Sequence, residues 1–142
     1  MELLYIYIWN DKRNIKECEY NFSPNYKFSY QPETKTFYME ERTSLPNNWF
    51  GKNIHNVTAI VGKNGAGKTN LIECIIKALC GQGGGVIFFK HNHKIYTNIS
   101  EQLDIYKFFF SVERPKRGGS PLNPENTKNF NDTFVTFYSP TI

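Results

Sequence analysis

The sequence is short of cysteine, of long hydrophobic runs and of any leader-like start, and each shortage excludes a class of protein. The three cysteines, Cys18, Cys74 and Cys80, have no paired spacing, which excludes a disulfide framework and a cysteine zinc site. No apolar run approaches the roughly 20 residues that a membrane span needs, so we expect no membrane partner. The opening MELLYIYIWN has no basic region before its apolar run and predicts no signal peptide. We therefore expect reduced thiols and a cytoplasmic location.

What is present favours one folded domain. The 142 residues include 12 Phe and 9 Tyr, and 39% of the chain is hydrophobic, which is enough for a core and unlike a disordered protein. The net charge of +4 is mildly basic, so it permits a nucleic-acid partner without arguing for one.

Alternating and β-branched runs predict a mainly β framework around one helix. The first four predicted strands cover residues 3–9, 17–22, 26–30 and 36–41, with the second antiparallel to the first. The predicted elements of the second half are a hairpin from residues 86–90 and 94–98, a short helix over 100–106, a strand over 108–113, a flexible loop over 114–131 and a strand over 133–138.

Between these halves, one segment has the pattern of a strand buried on both faces, followed at once by a glycine-rich turn and a helix. Residues 57–61 are apolar and β-branched. After the turn, apolar residues recur at helical spacing and predict a helix that begins at Gly67 or Lys68 and ends at Gly81. These apolar residues are Leu71, Ile72, Ile75, Ile76 and Leu79.

The turn matches G-x-x-x-x-G-K-[ST] in full, the pattern of a phosphate-binding loop, or P-loop. Its residues are Gly62, Lys63, Asn64, Gly65, Ala66, Gly67, Lys68 and Thr69. Glycine lets backbone N–H groups approach phosphate oxygens, and a helix N-terminus adds partial positive charge at the same place. We therefore predict that the loop binds ATP, with Lys68 on the β- and γ-phosphates and Thr69 as a ligand of Mg²⁺.

The segment over residues 54–73 resembles the start of ABC-type ATPase heads of the SMC, RecF and OLD kind. In those families an apolar strand runs into G-x-N-G-x-G-K-[ST]-x-L-h-[ED]-x-h, and Asn64 is the distinguishing residue here. The opening is also similar, with RNI at residues 13–15 in a turn and NFS at residues 21–23 at the end of a strand. The resemblance covers roughly residues 1–80 and is greatest to bacterial AAA family ATPases of anti-phage defence systems.

This resemblance implies an α/β P-loop NTPase, with an ABC ATPase-like N-terminal lobe made of an antiparallel β part and a central P-loop strand–helix unit. Residues 1–142 are then a partial ATP-binding domain with ATP and Mg²⁺ as cofactors. The implied partners are a second head in a homodimer and a gated effector protein such as a nuclease, with DNA as a further candidate. The expected nucleotide-binding residues are Lys63, Asn64, Gly65, Ala66, Gly67, Lys68, Thr69, Asn70 and Arg13.

Two of these expectations have alternatives. Arg13 falls where such heads place a basic residue near the nucleotide, but a solvated turn arginine is the other interpretation. The sequence contains no apolar run ending in Asp-Glu and no LSGGQ-like signature, so we expect the N-terminal part of a longer ATPase and identify no catalytic residue. The alternatives are a non-catalytic nucleotide-sensing or structural subunit that controls assembly, and a small-molecule kinase whose lid would use Arg114 and Arg117.

Overall fold

The architecture is one helix and two β-sheets in the part of the chain that the computed structural model describes, namely residues 1–42, 45–46, 48–54, 56–63 and 65–116. The elements are β1 (Glu2–Asn10), β2 (Lys16–Asn21), β3 (Tyr26–Gln31), β4 (Thr36–Glu41), α1 (Lys68–Leu79), β5 (Val86–His91), β6 (Lys94–Thr97) and β7 (Lys107–Phe108). The first sheet has the order β2-β1-β5-β6 and the second the order β3-β4-β7. The predicted α/β class, the first four strands, the helix and the hairpin are confirmed.

The first sheet is antiparallel throughout, and its two central strands are buried on both faces. β1 pairs with β2 on one side and with β5 on the other, with Ile6 opposite Tyr20 and Ile87. Because side chains alternate along a strand, β1 and β5 each send one set of apolar residues to either face. The sheet therefore needs a covering layer on each side.

Helix α1 covers one face. Its apolar residues recur every three or four positions, so they form one stripe, and the buried ones include Leu71, Ala78 and Leu79. They pack on Ile6 and Ile87 of the central strands. Burial of this stripe fixes where α1 lies, and therefore where the P-loop at its N-terminus lies.

The second sheet covers the opposite face through aromatic side chains. Tyr5 stacks on Phe88 with ring centroids 5.3 Å apart, and Phe28 and Phe37 of the second sheet contact both rings. Rings with offset-stacked or edge-to-face contacts gain energy beyond their buried area. Much of the Phe and Tyr content of the described residues therefore lies in or beside this second core.

Two polar side chains of β2 join the sheets where no strand pairing does. The Asn21 side chain accepts from Phe28 N at 2.7 Å and donates to Phe28 O at 3.0 Å, as a neighbouring strand would. Glu19 Oε2 accepts from the Tyr5 hydroxyl at 2.8 Å and from Tyr30 N at 3.2 Å. Both contacts satisfy backbone groups of β3 at the junction.

The predicted strand over residues 57–61 is wrong. These residues form no strand in the described part of the chain, and the side chains of Val57 and Val61 are 61% and 87% exposed. Thr58 Oγ1 donates to Phe22 O at 3.1 Å, so the segment is attached to the first sheet by a side chain and not by a ladder. An apolar β-branched run reports a tendency to be buried, but a strand exists only where a partner strand lies beside it.

Two predictions in the second half are wrong or only partly confirmed. Residues 100–106 form turns instead of the predicted helix, and the predicted strand over 108–113 is limited to β7 and an isolated bridge at Glu113. The predicted strand over 133–138 lies outside the described residues, as does the predicted loop from residue 117 onwards. No helix in the described ranges is long and apolar enough to cross a membrane.

The aromatic core predicts a contrast between two phenylalanines. Phe88 is fully buried and contacts Tyr5, Phe37 and Phe110, so Phe88→Ala should lower the free energy of unfolding by about 3–5 kcal/mol. Phe109 is 68% exposed and stacks on Tyr38 at the surface, so Phe109→Ala should cost about 1 kcal/mol or less. Urea denaturation of both variants measures the difference, and equal losses would contradict this account of the core.

Candidate functional site

The site is built around the N-terminus of α1, where Gly67 is the cap residue. Gly67 has φ 96°, a left-handed conformation that favours glycine, and its carbonyl accepts the first helical bond from Leu71 N at 2.9 Å. No side chain in the described part of the chain caps the helix, and no acidic residue lies in its first turn. The partial positive charge of this helix end is therefore not neutralised from within the helix.

The loop that precedes the helix is closed by two internal hydrogen bonds. Lys68 Nζ donates to Gly62 O at 2.5 Å, which joins the end of the loop to its start. Ala66 N donates to Lys63 O at 3.0 Å, which makes a tight turn inside the loop. The predicted binding residues from Lys63 to Asn70 thus lie in one compact turn and helix start, except that Asn64 lies outside the described residues.

The hairpin between β1 and β2 brings a second group of side chains to the same place. Asp11 Oδ1 accepts from Arg13 N at 2.8 Å and from Ile15 N at 2.9 Å, and Asp11 N donates to Ile15 O at 3.0 Å. An aspartate that accepts from the backbone a few residues ahead is a common way to stabilise a turn. The turn is therefore held in one shape, with Arg13 and Asn14 on the side of α1.

Arg13 contacts α1 through Glu73. The guanidinium donates to Glu73 Oε2 at 2.7 Å, and its Nε lies 3.7 Å from Asp11 Oδ2. The hydrogen bond to Glu73 raises the pKa of Arg13, although both side chains are more than 40% exposed and the pair adds little stability. The sequence left two interpretations of Arg13 open, a contact with nucleotide and a solvated turn arginine. The structure gives Arg13 an ion pair, and its contact with nucleotide stays a prediction.

Asn14 is a residue of the site that the sequence did not predict. Its Nδ2 donates to Gly65 O at 3.3 Å, and its Oδ1 accepts from the side chain of Asn70. The only signal for Asn14 in the sequence is its place beside Arg13 in the RNI segment that carries the resemblance. The contacts are not readable from the sequence because Asn14 and Gly65 lie 51 positions apart.

Thr69 is an exposed residue in the first turn of α1. Its role as a Mg²⁺ ligand stays a prediction.

Arg114, which the kinase alternative needs in a lid, instead donates to backbone carbonyls of Ser100 and Leu103 at 2.6 and 3.0 Å. Arg114 therefore holds the turns after β6 in place, and Arg117 lies outside the described residues.

A family model described as an AAA domain matches residues 50–138, which is well over half of the chain. The chain belongs to this AAA domain family. It is accordingly a P-loop NTPase with a nucleotide-binding, ATPase-like domain. No curated protein and no solved structure matches the chain. The matched region of the AAA domain includes the P-loop, α1 and the β5–β6 hairpin, whereas the turn that carries Arg13 and Asn14 precedes it.

The electrostatics of the β1–β2 turn depend on Asp11. Its side chain is almost fully buried, and Oδ2 has no hydrogen-bond partner among the described residues. Burial raises the pKa of Asp11, but the backbone bonds from Ile15 and Arg13 and the charge of Arg13 outweigh it and hold the pKa below its usual value. The turn is therefore most stable with Asp11 ionised.

This predicts an acid-sensitive turn. A carboxylate whose pKa is lower in the folded than in the unfolded state stabilises the protein at pH values above its unfolded pKa of about 3.9. This stabilisation is lost as the pH falls through the folded-state pKa. Between about pH 5 and pH 3, wild type should therefore lose more free energy of unfolding than Asp11→Asn, in urea titrations at each pH. Asp104→Asn, at an exposed turn position, is the control and should follow wild type. An Asp11→Asn profile parallel to wild type would contradict the assignment.

Proposed function

We propose that this AAA domain is the ATP-binding portion of an SMC- or OLD-like ABC ATPase, and that the loop over residues 62–69 holds the triphosphate of Mg·ATP. The observation that carries the proposal is a complete P-loop pattern at the uncapped N-terminus of α1. Family membership supports nucleotide binding in general. The ABC-like part of the proposal is further supported by Asn64 within the loop pattern and by the similar opening at residues 13–15.

The residues present fit Mg·ATP chemically. Lys68 carries a mobile positive charge from the first position of α1, and its ammonium is within reach of both ends of the loop because it already contacts Gly62 O. The exposed Thr69 hydroxyl is a hard oxygen donor of the kind that Mg²⁺ takes beside phosphate and water. Bound Mg²⁺ would supply charge neutralisation at the phosphates, and the loop would supply orientation.

The biological role that we propose follows the resemblance. Two heads dimerise with ATP between them, the dimer gates an effector protein such as a nuclease, and the setting is cytoplasmic, in bacterial anti-phage defence or DNA maintenance. ATP then acts first as part of the interface and afterwards, by hydrolysis, as a timer. The net charge of +4 leaves DNA as a candidate partner.

One observation favours the second candidate, a non-catalytic nucleotide sensor. The 142 residues contain no apolar run ending in Asp-Glu, the pair that orders the magnesium water and activates the attacking water. We therefore expect this chain to bind Mg·ATP and to release phosphate slowly or not at all. Phosphate release at an ABC-like rate that is abolished by Lys68→Ala would exclude the sensor and overturn this expectation.

The binding site is tested by three substitutions on one helix. Lys68→Ala should weaken Mg·ATP binding by about tenfold or more in calorimetry, because it removes a full charge from the phosphates, while thermal unfolding changes little. Thr69→Ala should mainly reduce the dependence of binding on Mg²⁺. Lys77→Ala is the matched control, since Lys77 is an exposed lysine in the last turn of the same helix. Unchanged affinity in Lys68→Ala would remove the proposed site.

The composite-site part of the proposal predicts the oligomeric state of this chain. In the family arrangement, the P-loop of one head faces the signature of the other, and residues 1–142 contain no LSGGQ-like element. Two copies therefore lack the charge-assisted bonds that hold the γ-phosphate across the interface. Sedimentation should show the same mass with and without Mg·ATP. A tight ATP-dependent dimer of this chain would contradict the composite site and favour a self-contained nucleotide switch.

A further inference from the structure

We propose that Asn14 is a positioning residue for the P-loop: its carboxamide bridges the loop and α1 and holds the loop in the shape that receives phosphate. The proposal rests on the proposed function for its ligand, but the bridge itself is a property of the protein alone. Asn14 lies outside the P-loop pattern and outside the region that matches the AAA domain family.

The first argument is the hydrogen bonding of the carboxamide. A carboxamide carries a donor and an acceptor, and Asn14 uses both on different parts of the site. Its Nδ2 donates to Gly65 O at 3.3 Å in the loop, and its Oδ1 accepts from the side chain of Asn70 in the first turn of α1. The side chain therefore connects the loop with the helix that follows it.

The orientation of one peptide unit follows from this bridge. The carbonyl of the Gly65–Ala66 peptide accepts from Asn14 Nδ2, and its N–H donates to Lys63 O at 3.0 Å. Because a peptide unit is planar, two bonds in opposite directions fix its rotation. Gly65 has φ 81°, and among the described residues no atom lies within 4 Å of the place of its Cβ, so the hydrogen bonds are the contacts that orient this peptide unit.

The second argument is steric and concerns Gly67. A Cβ at Gly67 would lie 2.8 Å from Asn14 Nδ2, which is closer than real Cβ contacts, and 3.1 Å from Oδ1, which is tighter than most of them. The space that this glycine leaves free is therefore taken by Asn14. Gly65 and Gly67 differ in this respect: both have a positive φ that favours glycine, but only Gly67 also makes room for the Asn14 side chain.

The third argument is that the turn holding Asn14 is fixed on both sides of it. Asp11 accepts from Arg13 N and Ile15 N, and the Ile15 side chain is buried in the core that includes α1. The Arg13–Glu73 pair is a second contact of the same turn with α1. A side chain on so constrained a turn is pre-organised, so it positions its partners at low entropic cost.

The test combines two readouts on Asn14→Ala, Asn70→Ala and the double variant. The matched control is Asn98→Ala, because Asn98 also bonds the backbone at two points, Gly85 O at 2.7 Å and Ile87 N at 3.1 Å, in another part of the fold. The first readout is the backbone amide resonances of Gly65, Ala66 and Gly67 without nucleotide. The second is the affinity for Mg·ATP by calorimetry, with thermal unfolding as the measure of stability.

We expect Asn14→Ala to shift the three loop resonances and to weaken Mg·ATP binding by about fivefold, the range of one or two lost hydrogen bonds. The double variant should bind no more weakly than the weaker single variant, because the two asparagines act as one unit. Asn98→Ala should lower stability and leave both the loop resonances and the affinity unchanged.

Three results would overturn the inference. They are unchanged loop resonances in Asn14→Ala, additive affinity losses in the double variant, and an affinity loss in Asn98→Ala equal to that in Asn14→Ala, which would trace the effect to stability. Absence of Mg·ATP binding by wild type would instead remove the proposed function. The resonance comparison would then still decide whether Asn14 shapes the loop.

Discussion

Burial of the first sheet on both faces is the constraint on which the rest of this structure depends. The central strands β1 and β5 carry apolar residues toward each side, so the chain needs a helix on one face and a second sheet on the other. Water exclusion from two faces of one sheet supplies the main driving force, because buried apolar area dominates the gains of folding. The position of α1, and with it the P-loop, is a consequence of this packing.

The site adds a polar layer to that apolar arrangement. The cores place the β1–β2 turn beside the N-terminus of α1, and the contacts of Asn14 with the loop and of Arg13 with Glu73 then set local orientation. These contacts are weak as stabilisers, since the ion pair is exposed and each hydrogen bond replaces one to water. Their value lies in direction, which a hydrophobic contact does not provide. The proposed binding of phosphate through backbone groups of the loop depends on such direction.

The segment over residues 57–61 illustrates the limit of pattern reasoning. Its composition is that of a doubly covered strand, yet its valines are exposed and its attachment runs through the side chain of Thr58. Hydrophobicity indicates what a segment gains from being covered, whereas strand formation needs a neighbour in register. By contrast, β1, β2 and the β5–β6 hairpin were predictable because their partners lie nearby in the chain and the turns between them are short.

The sequence by itself determined the elements whose signals are local: the four N-terminal strands, the hairpin, and a helix that begins beside a glycine with positive φ. It also carries the full P-loop pattern at residues 62–69, on which the proposed phosphate site rests. Only the tertiary structure decided that Asn14 bridges Gly65 and Asn70 and that Arg13 pairs with Glu73. These contacts join residues 51 to 60 positions apart, and they exist because two separately predictable elements pack on the same sheet, which no local pattern records.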